Sequence, residues 1–245
     1  MFSLDLTGST ARISLDRGAA RNAIPLRAWN DLSGLLDGVA RSGARALILR
    51  SGMEGSFSAG ADIAELAALT GEPALRRRFH EEMGGAIEML AALPIATIAV
   101  IDGGCFGAAV AMAMACDIRI ASPAARFAIT PAKLGISYPP ADVARLKGLV
   151  GNGQAAWLLL SAATIDANRA RTIGLVDKIV DHPEEAAKHF ASAVAGNAPS
   201  SVRMLKRSLA GDPAAAEDFV AAFGRSDFAE GVAAFRERRI PKFDG

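Results

Sequence analysis

The central stretch of the chain, Thr97 to Ser122, places a glycine in front of a helix of small and apolar residues. The pattern predicts a buried strand over Thr97–Ile101 and a helix over Ala108–Cys116, with Gly107 just before the helix. The first N–H groups of a helix have no partner within it and carry partial positive charge, and glycine lets a ligand approach the backbone. This arrangement is typical of a site for an oxygen that is, or becomes, negatively charged. The alternative is a helix that only fills the core.

A second segment of small residues, Phe57–Ile63, has the same character. Its small side chains bring the backbone close to a bound molecule, and Asp62 is suited to capping a helix that continues through Leu69. If the Ala61 N–H points outward, it is a second donor like the one behind Gly107. Two such donors could hold one carbonyl oxygen and stabilise an enolate or a tetrahedral anion, at roughly 3 kcal/mol per donor. The alternative is an ordinary tight turn between a strand and a helix.

Short strands that alternate with helices are expected to position these two segments, which predicts an α/β protein. Phe2–Leu6 and Ala11–Leu15 alternate apolar and polar residues around a turn and predict a β-hairpin. A helix is predicted to begin at Pro25. The remaining predicted elements are a strand over Ala46–Leu49, a loop over Ser51–Ser58, a helix over Ala74–Ala92, strands over Asp117–Ala121, Arg126–Ile129 and Leu175–Val180, and helices capped by Asp142, beginning at Gly153 and continuing from Pro183 to Gly245.

The composition narrows the class of protein. The chain has 245 residues, of which 51% are hydrophobic, enough for one large domain with a sizeable core, and its net charge of +1 offers no footprint for nucleic acid or an anionic membrane. The strand-like N-terminus predicts that there is no signal peptide. Cys105 and Cys116 are predicted to be buried free thiols of a reducing compartment, so a cytoplasmic protein is expected. The histidine spacing fits no metal site, and no metal is expected.

Five segments, taken in order along essentially the whole chain, resemble the crotonase (enoyl-CoA hydratase/isomerase) superfamily. They are Arg21–Ile24, Phe57–Ile63, Asp102–Asp117, Gly174–Asp177 and Glu230–Phe235. The resemblance implies a ClpP-like spiral of ββα units with two nearly perpendicular sheets, and a C-terminal helical region that builds homotrimers, often paired into homohexamers. It divides the chain into an acyl-CoA-binding core, residues 1–190, and a helical oligomerisation region, residues 191–245.

The resemblance also implies an acyl-CoA ligand whose thioester carbonyl lies between the backbone N–H groups of Ala61 and Ala108. The other CoA contacts fall on the backbone of Ala59, Gly60, Asp62, Ile63 and Gly107, and on the loop with Ala20, Arg21 and Ala23. No cofactor beyond the CoA of the substrate is implied. Hydration, isomerisation, decarboxylation and C–C cleavage of acyl-CoA all place negative charge on the thioester oxygen, so one pair of donors serves all of them.

The sequence departs from the hydratases of this family at both catalytic glutamates. By the resemblance, these positions fall on Ala111 and Pro131 in the substrate pocket, and neither residue can transfer a proton. We therefore do not expect the usual hydratase mechanism, nor the single-glutamate isomerase mechanism. Ala108 and Ala109 stand in place of glycines, and their methyl groups narrow the pocket while keeping both N–H donors.

Tyr138 and Asp142 are the polar residues that remain near the predicted pocket. A proline at 131 followed by Tyr138 is similar to the branch that contains methylmalonyl-CoA decarboxylase, where a tyrosine could hold a carboxylate or donate a proton. That branch, however, has a histidine in place of Ala61 and a glutamate in place of Ala111.

Three functions therefore stay open: an acyl-CoA enzyme, lyase or isomerase, that forms an enolate without the two glutamates; a decarboxylase that uses Tyr138; and a non-catalytic acyl-CoA-binding scaffold. Ordinary hydratase or isomerase chemistry would need a carboxylate recruited from elsewhere, such as Asp142, Glu65 or Glu81. His80 is a further side chain that could reach the pocket. The expected partners are an acyl-CoA thioester and other copies of the chain, with neither nucleic acid nor a membrane.

Overall fold

Two sheets form the framework of the protein. The computed structural model describes residues 1–243. Its strands, in chain order, are β1 (Phe2–Thr7), β2 (Thr10–Leu15), β3 (Ala46–Ser51), β4 (Ser56–Ser58), β5 (Ala96–Ile101), β6 (Gly104–Phe106), β7 (Ile118–Ala121), β8 (Arg126–Ala128), β9 (Ile165–Asp166) and β10 (Lys178–Ile179). The larger sheet has the order β1-β2-β3-β5-β7-β10, and the smaller has the order β4-β6-β8-β9. The predicted α/β fold class is therefore confirmed.

Helices surround these sheets and make up the C-terminal part of the described chain. They are α1 (Ala28–Arg41), α2 (Ile63–Leu66), α3 (Pro73–Ala91), α4 (Ala108–Met114), α5 (Pro140–Ser161), α6 (Ala167–Thr172), α7 (Pro183–Ala195), α8 (Pro199–Leu209), α9 (Ala215–Ala222) and α10 (Ser226–Glu237). Single 3₁₀ turns cover Gly18–Ala20, Ala67–Leu69 and Pro131–Leu134.

The central strands of the larger sheet are parallel and buried on both faces, which explains their continuous apolar sequence. On β3, Leu47 and Leu49 face the main core, whereas Ala46 and Ile48 face a second cluster. Ala187 and Ala191 of α7 cover that second cluster. Because α7 crosses the predicted boundary at residue 190, part of the sheet's cover comes from a helix that continues beyond the boundary. The division into two regions stays a prediction.

The smaller sheet brings the two glycine- and alanine-rich segments together. β4 and β6 are parallel neighbours, with Ser56 paired to Gly104, and β8 lies parallel to β6 on its other side. The carboxyl ends of neighbouring parallel strands lie at the same edge of a sheet. The segments that follow β4 and β6, Ala59–Ala61 and Gly107–Ala108, therefore emerge side by side.

Several predicted boundaries are wrong for local reasons. The first helix begins at Ala28 and not at Pro25, because Pro25–Ala28 closes a separate turn in which the Ala28 N–H donates to the Pro25 carbonyl. The Leu26 N–H in this turn donates to the Glu65 carboxylate. The expected loop over Ser51–Ser58 contains β4, and β6 was not predicted at all. Both are three-residue strands, too short to show a clear hydrophobic period.

Two predicted boundaries later in the chain are also wrong. The last strand is only Lys178–Ile179, because the N–H groups of Leu175 and Val176 bond to the Ala170 carbonyl and close α6 instead of joining the sheet. The helix expected from Gly153 is the second half of α5, which is interrupted at Gly151, where φ is 77°. Within residues 1–243, every helix is too short or too polar to span a membrane.

Candidate active site

A cavity of about 470 Å³ lies where α3, α4 and the start of α5 meet the segments after β4 and β6. Its lining includes most of the sequence-predicted site. The predicted residues in the lining are Ala59, Ala61, Ile63, Gly107, Ala108, Ala111, Pro131, Tyr138 and Asp142. Gly60 and Asp62 lie behind the lining, and Ala20, Arg21 and Ala23 lie in the loop that pairs with it.

The Ala61 N–H is free to bind a ligand because of how its segment pairs with the chain. Ile24 forms a parallel bridge to Ala61: its N–H donates to the Gly60 carbonyl at 2.7 Å, and its carbonyl accepts from the Asp62 N–H at 2.9 Å. In such a bridge, the N–H and carbonyl of the middle residue point the other way. The Ala61 N–H has no acceptor among residues 1–243 and belongs to a residue that lines the cavity.

The second donor, the Ala108 N–H, is the first of α4 and likewise has no acceptor within the described chain. Gly107 precedes it with φ 53° and ψ −119°, a combination open to glycine. The Gly107 N–H donates to the Ala128 carbonyl of β8 at 2.9 Å, which holds the turn against the smaller sheet. The start of α4 is thus fixed by its strand neighbour, with its first N–H left unused.

Gly60 sets the close approach of the two donor segments. It has φ 88°, and a Cβ on it would lie 2.5 Å from the Phe106 carbonyl oxygen and 3.2 Å from the Ala108 nitrogen. A side chain at this position would push the segments apart. The two backbone donors therefore belong to one packed unit, an arrangement suited to holding one negatively charged oxygen.

Asn22 ties the loop before α1 to this unit and was not predicted as a site residue. It is fully buried with φ 55°, its Oδ1 accepts from the Arg17 N–H, and its Nδ2 donates to the Ser51 hydroxyl and the Phe57 carbonyl. Asparagine tolerates positive φ and offers both donors and acceptors, which suits it to this position. The sequence signals were its polarity inside a loop and its place in the Arg21–Ile24 segment of the resemblance.

Asp62 does cap a helix, as predicted: its Oδ1 accepts from the Ala64 N–H at 3.0 Å. Its Oδ2 accepts from Arg17 at 2.6 Å, and Arg17 also donates to the Ala23 carbonyl. The hydrogen bond from Arg17 lowers the pKa of Asp62. Arg17 thereby joins the two loops that the resemblance assigns to CoA.

Tyr138 lines the cavity but is only 7% exposed. Its hydroxyl donates to the Gly107 carbonyl at 3.0 Å. Burial, helped by the nearby negative charge of Asp142, raises the pKa of Tyr138 well above its usual value. The hydroxyl thus keeps its proton and already uses it in a hydrogen bond to the backbone.

Asp142 does not cap α5, so that prediction is wrong. The helix begins earlier because Pro139 and Pro140 start it, and Asp142 lies within its first turn. Its Oδ1 accepts from Arg145 at 2.8 Å, and Arg145 also donates to Glu88 on α3 at 2.8 Å. The carboxylate is therefore held by a side chain rather than by helix N–H groups.

The electrostatics of Asp142 distinguish it from the other acids near the cavity. It is 2% exposed, and desolvation raises its pKa to about 6, against the lowering effect of Arg145. Among residues 1–243, it is the one carboxylate in the cavity lining. The Glu65 carboxylate accepts a hydrogen bond from the Leu26 N–H, and Glu81 is exposed on α3 outside the lining.

Ala111 and Pro131, onto which the resemblance places the glutamate positions of the hydratases, both lie in the cavity lining. Ala111 is on α4, one turn after Ala108, and Pro131 starts the 3₁₀ turn after β8. His80 also reaches the lining, from α3. Neither the Ala111 nor the Pro131 side chain can transfer a proton.

The cysteines are buried free thiols, as predicted, and burial raises the pKa of Cys116 to about 12. Within the described chain, no three His, Cys, Asp or Glu side chains lie close enough together to hold a metal ion.

Comparisons with known proteins show the family to which a chain with this fold belongs. The family model for enoyl-CoA hydratase/isomerase matches residues 5–245. The "Probable enoyl-CoA hydratase echA6" of Mycobacterium tuberculosis is 31% identical over 252 residues, covering all of both chains. The short-chain-enoyl-CoA hydratase of Clostridium acetobutylicum is 33% identical, over 96% of this chain and 94% of that protein.

A solved structure of enoyl-CoA hydratase from Bacillus anthracis superposes with a TM-score of 0.93 at 30% identity, over 100% of this chain and 99% of that one. The chain belongs to the enoyl-CoA hydratase/isomerase family of the crotonase superfamily. The resemblance found in the sequence, and the crotonase fold it implied, are confirmed.

Proposed function

We propose that this protein is an acyl-CoA enzyme that forms a thioester enolate and moves a proton with Asp142 in place of the two family glutamates. The observation that carries the proposal is the cavity itself. Two unused backbone N–H groups, of Ala61 and Ala108, lie in the same lining as one buried carboxylate, Asp142.

The chemistry follows from these groups. The Asp142 carboxylate removes a proton from the carbon next to the thioester, and the electron pair moves onto the thioester oxygen between the two N–H groups. Return of the proton to the same carbon gives exchange, and return two carbons further along an enoyl chain moves the double bond. Such isomerase-type chemistry needs one carboxylate and no bound water.

The environment of Asp142 suits this role. A base works best when its pKa lies near the working pH, and desolvation places the pKa of Asp142 at about 6. Arg145 holds the carboxylate in place, and Glu88 holds Arg145. The CoA part of the ligand is assigned to the backbone of Ala59–Ile63 and to the loop with Ala20, Arg21 and Ala23, which hydrogen bonds join into one surface.

The test is deuterium exchange into butyryl-CoA in deuterated water, followed by mass spectrometry, with a 3-enoyl-CoA as the substrate for isomerisation. We expect exchange at the carbon next to the thioester, about 100-fold or more slower in Asp142→Asn. Asp31→Asn, an exposed acid on α1, is the matched control and should exchange like the unchanged protein.

The other two functions are distinct outcomes of the same experiment. Loss of CO₂ from a malonyl-type CoA ester would favour the decarboxylase, although the Tyr138 hydroxyl is already engaged with Gly107. Binding of acyl-CoA with no exchange would favour a scaffold. The presence of Ala111 and Pro131 where the resemblance implies glutamates supports that alternative. Either result would overturn the proton-transfer proposal.

We also propose that the C-terminal helices assemble the chain into a homotrimer or a homohexamer. Phe219, Phe223 and Phe228 stack edge to face, and all three are more than 40% exposed, as is Phe235 at 85%. An apolar surface of this kind marks an interaction site. Light scattering should give a mass three or six times that of the chain, and Phe219→Glu should lower it.

A further inference from the structure

The hydrogen bond from Tyr138 ends on the same peptide group that supplies one of the two oxyanion donors. The Gly107 carbonyl and the Ala108 N–H belong to one planar amide. Tyr138 donates to the carbonyl oxygen at 3.0 Å, and the Ala108 N–H leaves the other side of the amide unpaired within the described chain. Tyr138 is therefore connected to the Ala108 N–H through this one peptide group, although its own hydroxyl bonds to the backbone.

The same amide accepts a second hydrogen bond, because the Val110 N–H donates to the Gly107 carbonyl at 3.0 Å. The preceding peptide group is also fixed, because the Gly107 N–H donates to the Ala128 carbonyl. Because Tyr138 is buried, its hydrogen bond operates in a low-dielectric surrounding, where hydrogen bonds in a chain polarise one another. A donor on the carbonyl draws electron density from the amide nitrogen and makes its N–H a stronger donor.

We propose that Tyr138 is a positioning residue that polarises the Gly107–Ala108 peptide, so that the Ala108 N–H binds the thioester oxygen more strongly as negative charge develops on it. This inference rests on the proposed function, because it needs an acyl thioester in the oxyanion hole. It assigns Tyr138 a role different from carboxylate binding or proton donation.

The expected effect is modest and specific. One oxyanion donor contributes about 100- to 1,000-fold to a rate, and cooperative strengthening amounts to roughly 10–30% of a hydrogen bond. Removal of the hydroxyl in Tyr138→Phe should therefore slow exchange by about two- to eightfold, through kcat with little change in KM.

The chain offers a sharp test because Tyr138 is its only tyrosine. Fluorinated tyrosines supplied during expression change this one side chain and make its hydroxyl a progressively stronger donor. The readout is the infrared stretching frequency of the thioester carbonyl in bound hexanoyl-CoA, labelled with ¹³C at that carbon. A stronger donor at the carbonyl oxygen lowers this frequency.

We expect the frequency to fall from Tyr138→Phe to the unchanged protein, and further with mono- and difluorotyrosine. Equal frequencies in all four proteins would overturn the role of Tyr138, because a structural contact alone gives no dependence on phenol acidity. If the unchanged protein leaves the frequency at its value in water, the oxyanion hole itself is unused, and the proposed function fails instead. Thermal denaturation of each protein checks that the fluorines fit.

Discussion

The two sides of the cavity differ in what they are made of. The donor side, Ala59–Ala61 with Gly107–Ala108, presents backbone N–H groups that are fixed by strand pairing and by the close approach at Gly60. The rest of the lining presents side chains from several elements, with Ala111, Pro131 and Asp142 among them, and is called the side-chain wall below.

This difference determines which parts of the site tolerate a change of side chain. Backbone donors survive replacement of the side chains around them, so alanine at 108 and 109 keeps the N–H groups in place. A proton-transfer group is a side chain, and alanine at 111 and proline at 131 offer none. The donor side therefore defines what the site stabilises, and the other side defines which reaction follows.

The largest effect is expected when a donor is deleted from the backbone. Ala108→Pro removes one N–H at the first position of α4, where proline is compatible with a helix. Exchange into butyryl-CoA should fall by about 100- to 1,000-fold. Ala108→Gly keeps the N–H and should stay within a few-fold of the unchanged protein. Similar losses in both variants would mean that the side chain, not the donor, matters here.

A slightly smaller effect is expected from separating the two donor segments. A methyl group in Gly60→Ala would meet the Phe106 carbonyl at 2.5 Å and displace Ala61 from Ala108, so exchange should slow by about 100-fold. Gly8→Ala carries the same backbone strain at φ 59° with no atom within 4 Å. That control lies in the β1–β2 turn, and its exchange rate should be unchanged. A Gly60→Ala enzyme at full rate would show that the donors need no fixed spacing.

In the side-chain wall, Asp142 should make the stability of the protein depend on pH. The pKa of Asp142 rises from 3.8 to about 6 on folding, so the folded protein binds more protons than the unfolded chain between these values, and its stability falls as pH rises through that window. The Asp142→Asn variant has no carboxyl at this position, so its stability does not fall for this reason. Relative to the unchanged protein, its free energy of unfolding should therefore improve by about 2 kcal/mol between pH 4 and pH 7.

Urea denaturation at several pH values measures this difference. A constant difference across the window would show that Asp142 is not desolvated, and would weaken its assignment as the base. In the exchange assay, the same carboxylate must be ionised to act, so kcat/KM should rise through about pH 6 and then level off.

The smallest effect is expected on stability, from a change to Asn22, which holds the loop beside the donor side. Asn22→Ala leaves the Arg17 N–H and the Phe57 carbonyl without their partner, and should cost about 2 kcal/mol of stability. Asn30→Ala, on the exposed face of α1, should stay within about 0.5 kcal/mol. If both variants unfold alike, the loop is held by backbone bonds alone.

Much of the donor side could be predicted from the sequence because its signals are local. Asp62 before a helix and Gly107 before α4 follow rules that depend on a few neighbouring residues. The pairing of Ile24 with Ala61 could not be predicted from local pattern, because it joins two loops distant in sequence. Strands β4 and β6 were missed for their shortness, although they place both donors.

The side-chain wall was harder to predict, since burial and partners decide what its residues do. Asp142 looked like a helix cap, and two prolines that begin α5 earlier changed its position from cap to first turn. The Tyr138 hydroxyl donates to the Gly107 carbonyl, which is distant in sequence, and no spacing rule identifies that acceptor.

The close contact at Gly60 also bears on how the protein acquires its site. No single segment contains both donors, since they meet only when chain regions far apart in sequence have docked, and contacts of this long range slow folding. A ligand held there binds the native state alone and stabilises it in proportion to RT ln(1 + [L]/Kd). Thermal shift in the presence of CoA esters should therefore rank ligands by affinity, even for thioesters that the enzyme does not turn over.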